Sequence, residues 1–277
     1  MKSKVLFTRT ISPEMVLTMY EKLGKELTGH IAIKLHSGEE GNQNFLTPEF
    51  WAPMIRHLDG TVVECNTAYE GSRNTTEKHL KTIEKHGWSK YFEVDLMDAE
   101  GPDMILDIPE GKVIQKNYVG KDINNYDSML VLSHFKGHKM GGFGGALKNM
   151  SIGVASSNGK AWIHSVGRTT SPAELWNYTE DQDGFLESMA EADKAVVEHF
   201  GCDNMAYINV ANKISIDCDC DSNPSEPEMA DIGIYASLDP VALDKCCYDA
   251  IINSKDEGKS YLIERIESRN GLHTIES

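Results

Sequence analysis

One stretch near the middle of the chain decides the fold and the functional hypothesis. It begins Met129-Leu130-Val131-Leu132, continues Ser133-His134-Phe135-Lys136-Gly137-His138-Lys139-Met140, and ends Gly141-Gly142-Phe143-Gly144-Gly145-Ala146-Leu147-Lys148-Asn149. The four consecutive apolar residues predict a buried strand, and the residues after the last glycine favour a helix. The histidines and glycines lie between these two elements. The stretch therefore predicts a strand that leads through a functional loop into a helix.

The glycines of this loop predict a backbone that can bind an anion. Gly141, Gly142, Gly144 and Gly145 tolerate positive φ and let backbone N–H groups approach a ligand closely. The N-terminus of the following helix would add free N–H groups and its macrodipole. No Gly-Lys-Ser/Thr sequence closes a Walker loop. The alternative is a tight turn with solvated lysines, so the identity of the ligand stays open.

Two histidines and one lysine in this stretch are the candidate catalytic residues. His134 and His138 are four residues apart, and imidazoles on one loop suit metal binding or proton transfer. Lys148 follows on the predicted helix, and Lys136 adds a further positive charge. The loop is therefore predicted to be the active centre.

Composition limits the possible partners. The chain has 277 residues, 40% of them hydrophobic, and a formal net charge of −16 at pH 7. An acidic surface repels nucleic acid and anionic membranes, so we expect neither as a partner. The sequence has no apolar run of about 18 residues and no charged-then-apolar leader. These features predict a cytoplasmic protein with one α/β domain over residues 1–277.

Helix and strand signals alternate along the chain. Capping residues, proline and apolar periodicity predict helices at 12–29, 48–60, 74–87 and 185–200 and one capped by Asp239-Pro240. Short apolar runs predict strands at 31–35, 61–65, 91–95, 113–115, 129–132, 206–210 and 232–235. The alternation indicates an α/β fold with a mostly parallel sheet flanked by helices, in one lobe or in two lobes around the Gly-rich loop. Residues 168–184 are expected to be a surface connection.

Polar residues follow several of the predicted strands. Ligands of such folds bind beyond the carboxyl ends of the strands. The residues predicted to bind a small anionic molecule there are Lys34, Glu39, Asn66, Tyr69, Arg73, Lys136, Gly142, Gly144, Gly145 and Asn149. We expect the positively charged members to form one focus on an otherwise acidic protein.

A second group of candidate ligands is Asp217-Cys218-Asp219-Cys220-Asp221. In a strand-like backbone, Cys218 and Cys220 would project to the same side. With His134 and His138 they would suit zinc, nickel or iron better than magnesium or calcium. The alternative is a pair of reduced structural cysteines in an acidic loop. A four-cysteine cluster is not expected, because no second pair of this spacing occurs.

The chain resembles a family of uncharacterised iron–sulfur-centre proteins, domain-of-unknown-function family 362. The resemblance is carried by Asn66-Thr67-x-Tyr69-x-Gly71-x-Arg73, Ser133 to His138, Gly142 to Asn149, Cys218-Asp219-Cys220 and Asp239 to Asp244. Many relatives carry a ferredoxin-like segment with repeated Cys-x-x-Cys, whereas residues 168–183 contain no cysteine here. An intrinsic 4Fe-4S cluster is therefore not expected in this chain. The histidine and glycine pattern is also distantly similar to the catalytic loop of nickel-dependent lactate racemases.

Two classes of function follow from these observations. The first is an enzyme, an oxidoreductase or isomerase with a divalent transition metal, that acts on a small anionic substrate. The second is a non-catalytic anion-binding or cofactor-binding protein, or an electron-transfer accessory. A homo-oligomer and a redox partner both stay open.

Overall fold

The computed structural model describes residues 3–277. The strands are β1 (Val5–Thr8), β2 (Ile31–Lys34), β3 (Thr61–Glu64), β4 (Val94–Leu96), β5 (Met104–Asp107), β6 (Lys116–Val119), β7 (Ser128–His134), β8 (Lys136–His138), β9 (Gly142–Gly144), β10 (Met205–Ala211) and β11 (Gly233–Ser237). The helices are α1 (Pro13–Leu23), α2 (Pro48–Leu58), α3 (Thr76–Lys85), α4 (Ala146–Val154), α5 (Ser157–His164), α6 (Gln182–Phe200), α7 (Pro240–Ile252), α8 (Lys259–Ser268) and α9 (His273–Glu276). Short 3-10 turns occupy Trp88–Lys90, Lys121–Asn125, Leu175–Asn177 and Cys202–Asn204.

Within residues 3–277, the main sheet has seven strands in the order β1-β11-β10-β7-β2-β3-β4. Strands β10, β7, β2, β3 and β4 are parallel to one another. Strand β11 lies antiparallel to both β1 and β10 at one edge. The predicted α/β fold with a mostly parallel sheet is therefore confirmed.

Helices cover both faces of this sheet. Alternate residues of β7 divide between the two faces, because side chains of a strand point to opposite sides in turn. Met129 and Val131 pack in the core that contains α4, α6 and α7. Leu130 and Leu132 pack in the core that contains α1 and α2. The uninterrupted apolar run of β7 reflects burial on both sides.

Two helix boundaries differ from the predicted ones. Helix α1 ends at Gly24, whose φ of 67° gives the left-handed conformation of a helix C-cap, and not at Gly29. Helix α3 is capped by Thr75, whose side chain accepts a hydrogen bond from Lys78 N, and not by Asn74. The predicted N-caps of α1 and α7 are confirmed. They are Ser12 and Asp239, and a proline follows each of them.

The strand predicted at residues 113–115 is wrong. The carboxylate of Glu191 on α6 accepts hydrogen bonds from the backbone amides of residues 112–114, at 2.5 Å for Lys112 and 2.7 Å for Ile114. These amides are therefore not available to a strand partner. The strand lies further on, in β6, which pairs antiparallel with β5.

The histidine and cysteine segments also differ in local form from the prediction. The predicted histidine loop is a hairpin in which β8 pairs antiparallel with β9, and α4 follows directly. The predicted strand around the cysteines ends at Ala211, and residues 212–232 form an irregular connection to β11. Residues 182–184 of the predicted surface connection belong to the first turn of α6.

No helix of the described chain is both long enough and apolar enough to cross a membrane.

Candidate functional site

A small cavity lies at the carboxyl ends of β3 and β7, as expected for an open parallel sheet. Its volume is about 70 Å³. Its polar lining includes His36, Glu64, Tyr69, Arg73, His134, Lys136, His138, Lys148, Asn149, Lys160, His164 and Cys220. We call this space the inner cavity. The structure thus brings together side chains from distant parts of the chain.

A wider depression adjoins the inner cavity, and we call it the outer chamber. Its volume is about 780 Å³. Tyr69, His138, His164 and Cys220 line both spaces. Cys218 and the exposed Trp176 line the outer chamber alone. A ligand would therefore reach the inner cavity past these side chains.

Most of the predicted site residues lie at the inner cavity. Its lining includes the predicted residues Tyr69, Arg73, His134, Lys136, His138, Gly144, Gly145, Lys148, Asn149 and Cys220. Five predicted residues are absent from that lining: Lys34, Glu39, Asn66, Gly142 and Cys218. Glu39 and Cys218 line the outer chamber instead.

Lys34 forms a buried ion pair and does not face the inner cavity. Its Nζ lies 2.9 Å from Oε2 of Glu64, and both side chains are almost fully buried. Glu64 also accepts hydrogen bonds from the backbone N and the hydroxyl of Ser37. Burial opposes ionisation of Glu64, yet the charge of Lys34 and other nearby cations hold its pKa well below the usual value. Lys34 thus neutralises Glu64 behind the cavity, and its role in ligand binding stays a prediction.

Glu39 has a similar role. Its Oε2 accepts a hydrogen bond from Nε of Arg73 at 2.9 Å, and its Oε1 accepts from the backbone N of Ser72 at 2.9 Å. Glu39 therefore orients Arg73 and does not itself line the inner cavity. Among residues 3–277, Arg73 donates this hydrogen bond through Nε, and its two terminal nitrogens stay available to a ligand.

Asn66 supports a buried histidine behind the site. Its amide oxygen lies 3.2 Å from Nδ1 of His79, and its amide nitrogen donates to the hydroxyl of Thr76 at 3.1 Å. Burial lowers the pKa of His79 to about 3, so the ring is neutral. Both ends of the Asn66 amide thus have protein partners, and its role in ligand binding stays a prediction.

His134 and Lys136 share one carboxylate, that of Asp219. Nδ1 of His134 lies 2.9 Å from Oδ1, and Nζ of Lys136 lies 2.8 Å from Oδ2. Nε2 of His134 lies 2.6 Å from the carbonyl oxygen of Asn212. Burial opposes ionisation of Asp219, but His134 and Lys136 hold its pKa well below the usual value.

Both ring nitrogens of His134 already have partners in the protein. A carbonyl oxygen only accepts hydrogen bonds, so Nε2 of His134 donates to Asn212. Nδ1 faces Oδ1 of Asp219. A metal ion or a substrate would have to displace one of these partners. The roles of His134 as metal ligand and catalytic residue stay predictions.

His138 lies beside the two cysteines. One ligand atom each of His138, Cys218 and Cys220 lies within 4.8 Å of the other two. Nδ1 of His138 accepts hydrogen bonds from the backbone N of Gly141 at 2.8 Å and of Met140 at 3.3 Å. Burial, followed by the charge of Lys148, holds the pKa of His138 well below the usual value. The neutral ring therefore carries its hydrogen on Nε2.

Lys148 contacts one of these cysteines. Its Nζ lies 3.6 Å from Sγ of Cys218. A hydrogen bond from Cys220 lowers the pKa of Cys218 well below the usual value, and the charge of Lys148 acts in the same direction. The pKa of Cys220 is raised well above the usual value by the same hydrogen bond and by burial. The pair therefore consists of a Cys218 thiolate and a Cys220 thiol.

Four of the polar residues that line the inner cavity were not among the predicted site residues: His36, Glu64, Lys160 and His164. The last two lie on α5, and Nδ1 of His164 lies 2.7 Å from the carbonyl oxygen of Lys160. Nδ1 therefore carries a hydrogen, and the lone pair of Nε2 is free. Burial lowers the pKa of His164 to about 4. The spacing i, i+4 on a helix capped by Ser156 is a signal that could have been noticed.

Lys160 has no carboxylate oxygen within 4.0 Å among residues 3–277. Its Nζ donates to the carbonyl oxygen of Ala155 at 2.5 Å, and burial lowers its pKa. Within that range it is thus a buried amine beside the inner cavity without an ion-pair partner. Lys34 and Lys136 differ in this respect, since each faces a carboxylate.

The N-terminus of α4 is occupied by a side chain. Oδ1 of Asp244 accepts from the backbone N of Ala146 at 2.8 Å, and Oδ2 accepts from that of Leu147 at 3.0 Å. A carboxylate of the protein therefore already binds these two amides, and anion binding by the other amides of the glycine segment stays a prediction. Gly145 is required here because a Cβ would lie 2.4 Å from Oδ1 of Asp244.

Gly142 is required by packing. Its φ is 78°, and an added Cβ would lie 2.9 Å from Cα of Gly271. Gly142 thus packs against the end of α8, and its role in ligand binding stays a prediction. Gly144 does line the inner cavity, where an added Cβ would lie 3.4 Å from Cδ of Lys148.

The fold and this cavity define a class of α/β protein with a cationic, histidine-containing site at the carboxyl edge of its sheet. Residues 31–249 match the domain of unknown function DUF362, so the chain belongs to that family. The resemblance inferred from the sequence is thereby confirmed. No curated protein sequence matches the chain.

Two solved structures are similar in fold. The lactate racemase apoprotein from Thermoanaerobacterium thermosaccharolyticum superimposes with a TM-score of 0.53 at 13% identity, over 88% of this chain and 56% of that one. A protein from Thermotoga maritima superimposes with a TM-score of 0.47 at 12% identity, over 86% of this chain and 57% of that one. The chain thus spans less than two thirds of either protein, and the first likeness concerns the fold alone.

Proposed function

We propose that this chain is an enzyme that performs acid–base chemistry on a small anionic molecule in the inner cavity, with the help of a divalent transition metal. The observation that carries the proposal is the convergence of three features at the inner cavity and the adjoining outer chamber. They are the free Nε2 of His164, the amine of Lys160 without a carboxylate partner in the described chain, and the cluster of His138, Cys218 and Cys220. Titratable groups shifted by burial in a cleft are typical of active sites.

The charge of the cavity supports an anionic substrate. The two terminal nitrogens of Arg73 remain available within residues 3–277, and such a pair suits bidentate binding of a carboxylate or a phosphate. Lys148 adds a second charge from α4. Since the whole chain carries a net charge of −16, this is a local positive focus. The small volume of the inner cavity restricts the reacting part of the substrate to a few heavy atoms.

His164 is the proposed general base. Its Nδ1 hydrogen bond to Lys160 O fixes the ring orientation and directs the lone pair to Nε2. The ring is neutral at pH 7 because burial lowers its pKa to about 4. A bound anion would raise that pKa toward neutrality, since a negative charge favours the imidazolium form. His164 is thus placed to accept a proton only when an anion occupies the cavity.

The donor atoms of the cysteine cluster fit a borderline-soft metal ion. Two sulfurs and one imidazole nitrogen within 4.8 Å of one another suit zinc, nickel or iron, and three protein ligands leave an open position. Bound there, such an ion would supply Lewis-acid polarisation of a substrate oxygen. His138 has its lone pair on Nδ1, where Gly141 N–H binds it. Ligation by the neutral ring would therefore use this lone pair in place of that hydrogen bond, or would need the other tautomer.

The likeness to a lactate racemase is consistent with this class of substrate. The similar structure is that of a lactate racemase apoprotein, and lactate is a small carboxylate, the kind of anion that Arg73 and Lys148 would bind. At 13% identity the likeness does not transfer the activity. Lactate is therefore a first compound to test.

The metal is tested by elemental analysis of the purified chain beside His138→Ala and Cys218→Ser. We expect one transition metal ion per wild-type chain and its loss in both variants. Cys202→Ser is the matched control, because Cys202 is exposed, and it should retain the metal. Absence of metal from wild type after incubation with zinc, nickel and iron salts would overturn this part of the proposal.

Catalysis is tested by deuterium exchange at the carbon next to the carboxylate of small 2-hydroxy acids, beginning with L-lactate, in heavy water. We expect wild type to incorporate deuterium and His164→Gln to lose about 100-fold or more of that rate, as for a lost general base. The control is His273→Gln, whose imidazole pairs with Glu187 outside the cavity lining. Binding of the acids without exchange would instead favour the alternative function of a non-catalytic anion-binding protein.

A further inference from the structure

Cys218 and Cys220 lie in one tight turn. Asp221 N donates to the carbonyl oxygen of Cys218 at 2.9 Å, which closes a turn over the four residues from 218 to 221. Cys220 N–H also points at Sγ of Cys218 at 3.5 Å. The two sulfur atoms are less than 4.8 Å apart. The turn therefore holds the two sulfurs close to each other in a segment outside the sheet.

The two sulfurs are also chemically unequal and accessible. Nζ of Lys148 lies 3.6 Å from Sγ of Cys218, so an ammonium group faces this sulfur and not that of Cys220. Both cysteines line the outer chamber, Cys218 as a buried residue and Cys220 as a partly buried one. By contrast, Cys65 and Cys247 are buried and do not line that chamber, and Cys202 is an exposed cysteine on a 3-10 turn. The turn thus combines a sulfur facing a cation, a neighbouring thiol and an open path for a small reagent.

We propose that Cys218 and Cys220 form a reversible intrachain disulfide and that a low-molecular-weight disulfide oxidises them. Cys218 gives its proton to water, and its Sγ attacks one sulfur of oxidised glutathione, forms a mixed disulfide and releases one glutathione thiolate, which takes up a proton from water. The thiol of Cys220 then loses its proton to the second leaving thiolate, attacks the sulfur of Cys218, and completes the disulfide. The protein loses two electrons in total, and glutathione gains them as two reduced molecules.

The disulfide has a consequence for the site that rests on the proposed function. It would remove both sulfur ligands of the proposed metal site and the partner of Lys148 at the same time. Oxidation and metal binding would therefore exclude each other, so that a bound metal protects the thiols. The position of the turn would make the site sensitive to the thiol redox state of its surroundings.

The experiment uses the full-length chain, reduced and freed of metal, in oxidised glutathione, followed by alkylation of the remaining thiols and peptide mass spectrometry. We expect the peptide that carries Cys218 and Cys220 to lose two hydrogen atoms and to escape alkylation, and dithiothreitol to reverse the change. Cys202→Ser should behave as wild type. In Cys220→Ser, Cys218 should keep one glutathione as a mixed disulfide, because the resolving thiol is missing.

The proposal is overturned if Cys218 and Cys220 are both alkylated while Cys202 carries glutathione. This readout needs neither metal nor substrate, so it separates the two ideas. Metal binding by the reduced chain without disulfide formation defeats the redox proposal alone. Disulfide formation in a chain that never binds metal defeats the metal site alone.

Discussion

Two groups of buried charge lie near each other and differ in their partners. We call the first the paired layer, and it contains Lys34 with Glu64, Glu39 with Arg73 Nε, and Asp219 with His134 and Lys136. We call the second the open wall, and it contains Lys148, Lys160 and His164. Each cation of the paired layer faces a carboxylate. In the open wall, Lys148 faces a cysteine sulfur, and Lys160 has no carboxylate within 4.0 Å in the described chain.

The difference indicates which charges serve folding and which serve a ligand. A buried charge is costly unless a partner compensates it. The paired layer meets that requirement within the protein, so its residues hold the loops in place. In the open wall, a bound anion would supply the compensating charge. Arg73 belongs to both groups, because Glu39 binds its Nε and its terminal nitrogens remain available.

The largest effect should come from breaking the paired layer at Asp219. Asp219→Ala leaves the two buried groups that share its carboxylate, His134 and Lys136, without their partner. We expect the free energy of unfolding to fall by about 5 kcal/mol, the upper end for a broken buried ion pair. Urea unfolding monitored by circular dichroism measures this change. If the free energy of unfolding falls only as much as it does for a surface substitution, the ion pairs of the paired layer do not stabilise the fold.

A pair of lysine variants tests the comparison directly. Lys34→Met leaves Glu64 buried and charged, so we expect a loss of about 3–4 kcal/mol in urea unfolding. Lys160→Met removes an amine without a carboxylate partner in the described chain, so stability should change by less than about 1 kcal/mol or rise.

Calorimetry with sulfate then measures anion binding by the same two proteins, with Lys34→Met assayed where it remains folded. We expect Lys160→Met to weaken binding by about tenfold or more and Lys34→Met to leave it near the wild-type value. The opposite ranking would mean that Lys34 and not Lys160 serves the ligand.

A third test uses pH at the N-terminus of α4. Burial raises the pKa of Asp244 to about 6, so the folded state holds this proton more tightly than the unfolded state does. Stability linked to Asp244 is therefore highest at pH values below about 4 and declines as pH rises through about 6. Between these values we expect wild type to lose on the order of 2–3 kcal/mol more than Asp244→Asn. Parallel pH profiles of unfolding for the two proteins would contradict this assignment.

The smallest effect is expected beside the cysteine turn. Lys139 forms a surface ion pair with Asp221, and 63% of its side chain is exposed. Lys139→Ala should change the free energy of unfolding by less than about 1 kcal/mol, because solvent screens such pairs. The neighbouring Lys136→Met should cost several times more, and urea unfolding of both variants gives the ratio. Equal losses would remove the distinction between a paired buried lysine and a solvated one.

Local signals in the sequence were sufficient for most of the fold. The apolar run of β7, the caps of α1 and α7, and the alternation of helices and strands all depend on residues close together in the chain. The hairpin of β5 and β6 was missed because Glu191 on α6 binds the amides of residues 112–114. No pattern near those residues indicates that contact.

The candidate site was also predictable only where local sequence signals were sufficient. The sequence indicated His138, Lys148, Arg73 and the two cysteines, because histidines, cysteines and cations near glycines are recognisable as residue types. It did not indicate that both nitrogens of His134 are engaged by Asp219 and Asn212. Nor did it indicate that α5 directs His164 into the same cavity.

The sequence by itself determined the parallel α/β sheet, the strand that leads into the histidine hairpin and α4, and the residue types available at the site. These depend on periodicity and caps over a few residues. Only the tertiary structure decided which charges are paired and which remain available, because Lys34 lies 30 residues from Glu64 and His134 lies 85 residues from Asp219. The reactivity of a buried side chain depends on its desolvation and its neighbours in space, and those are set only when distant segments pack together.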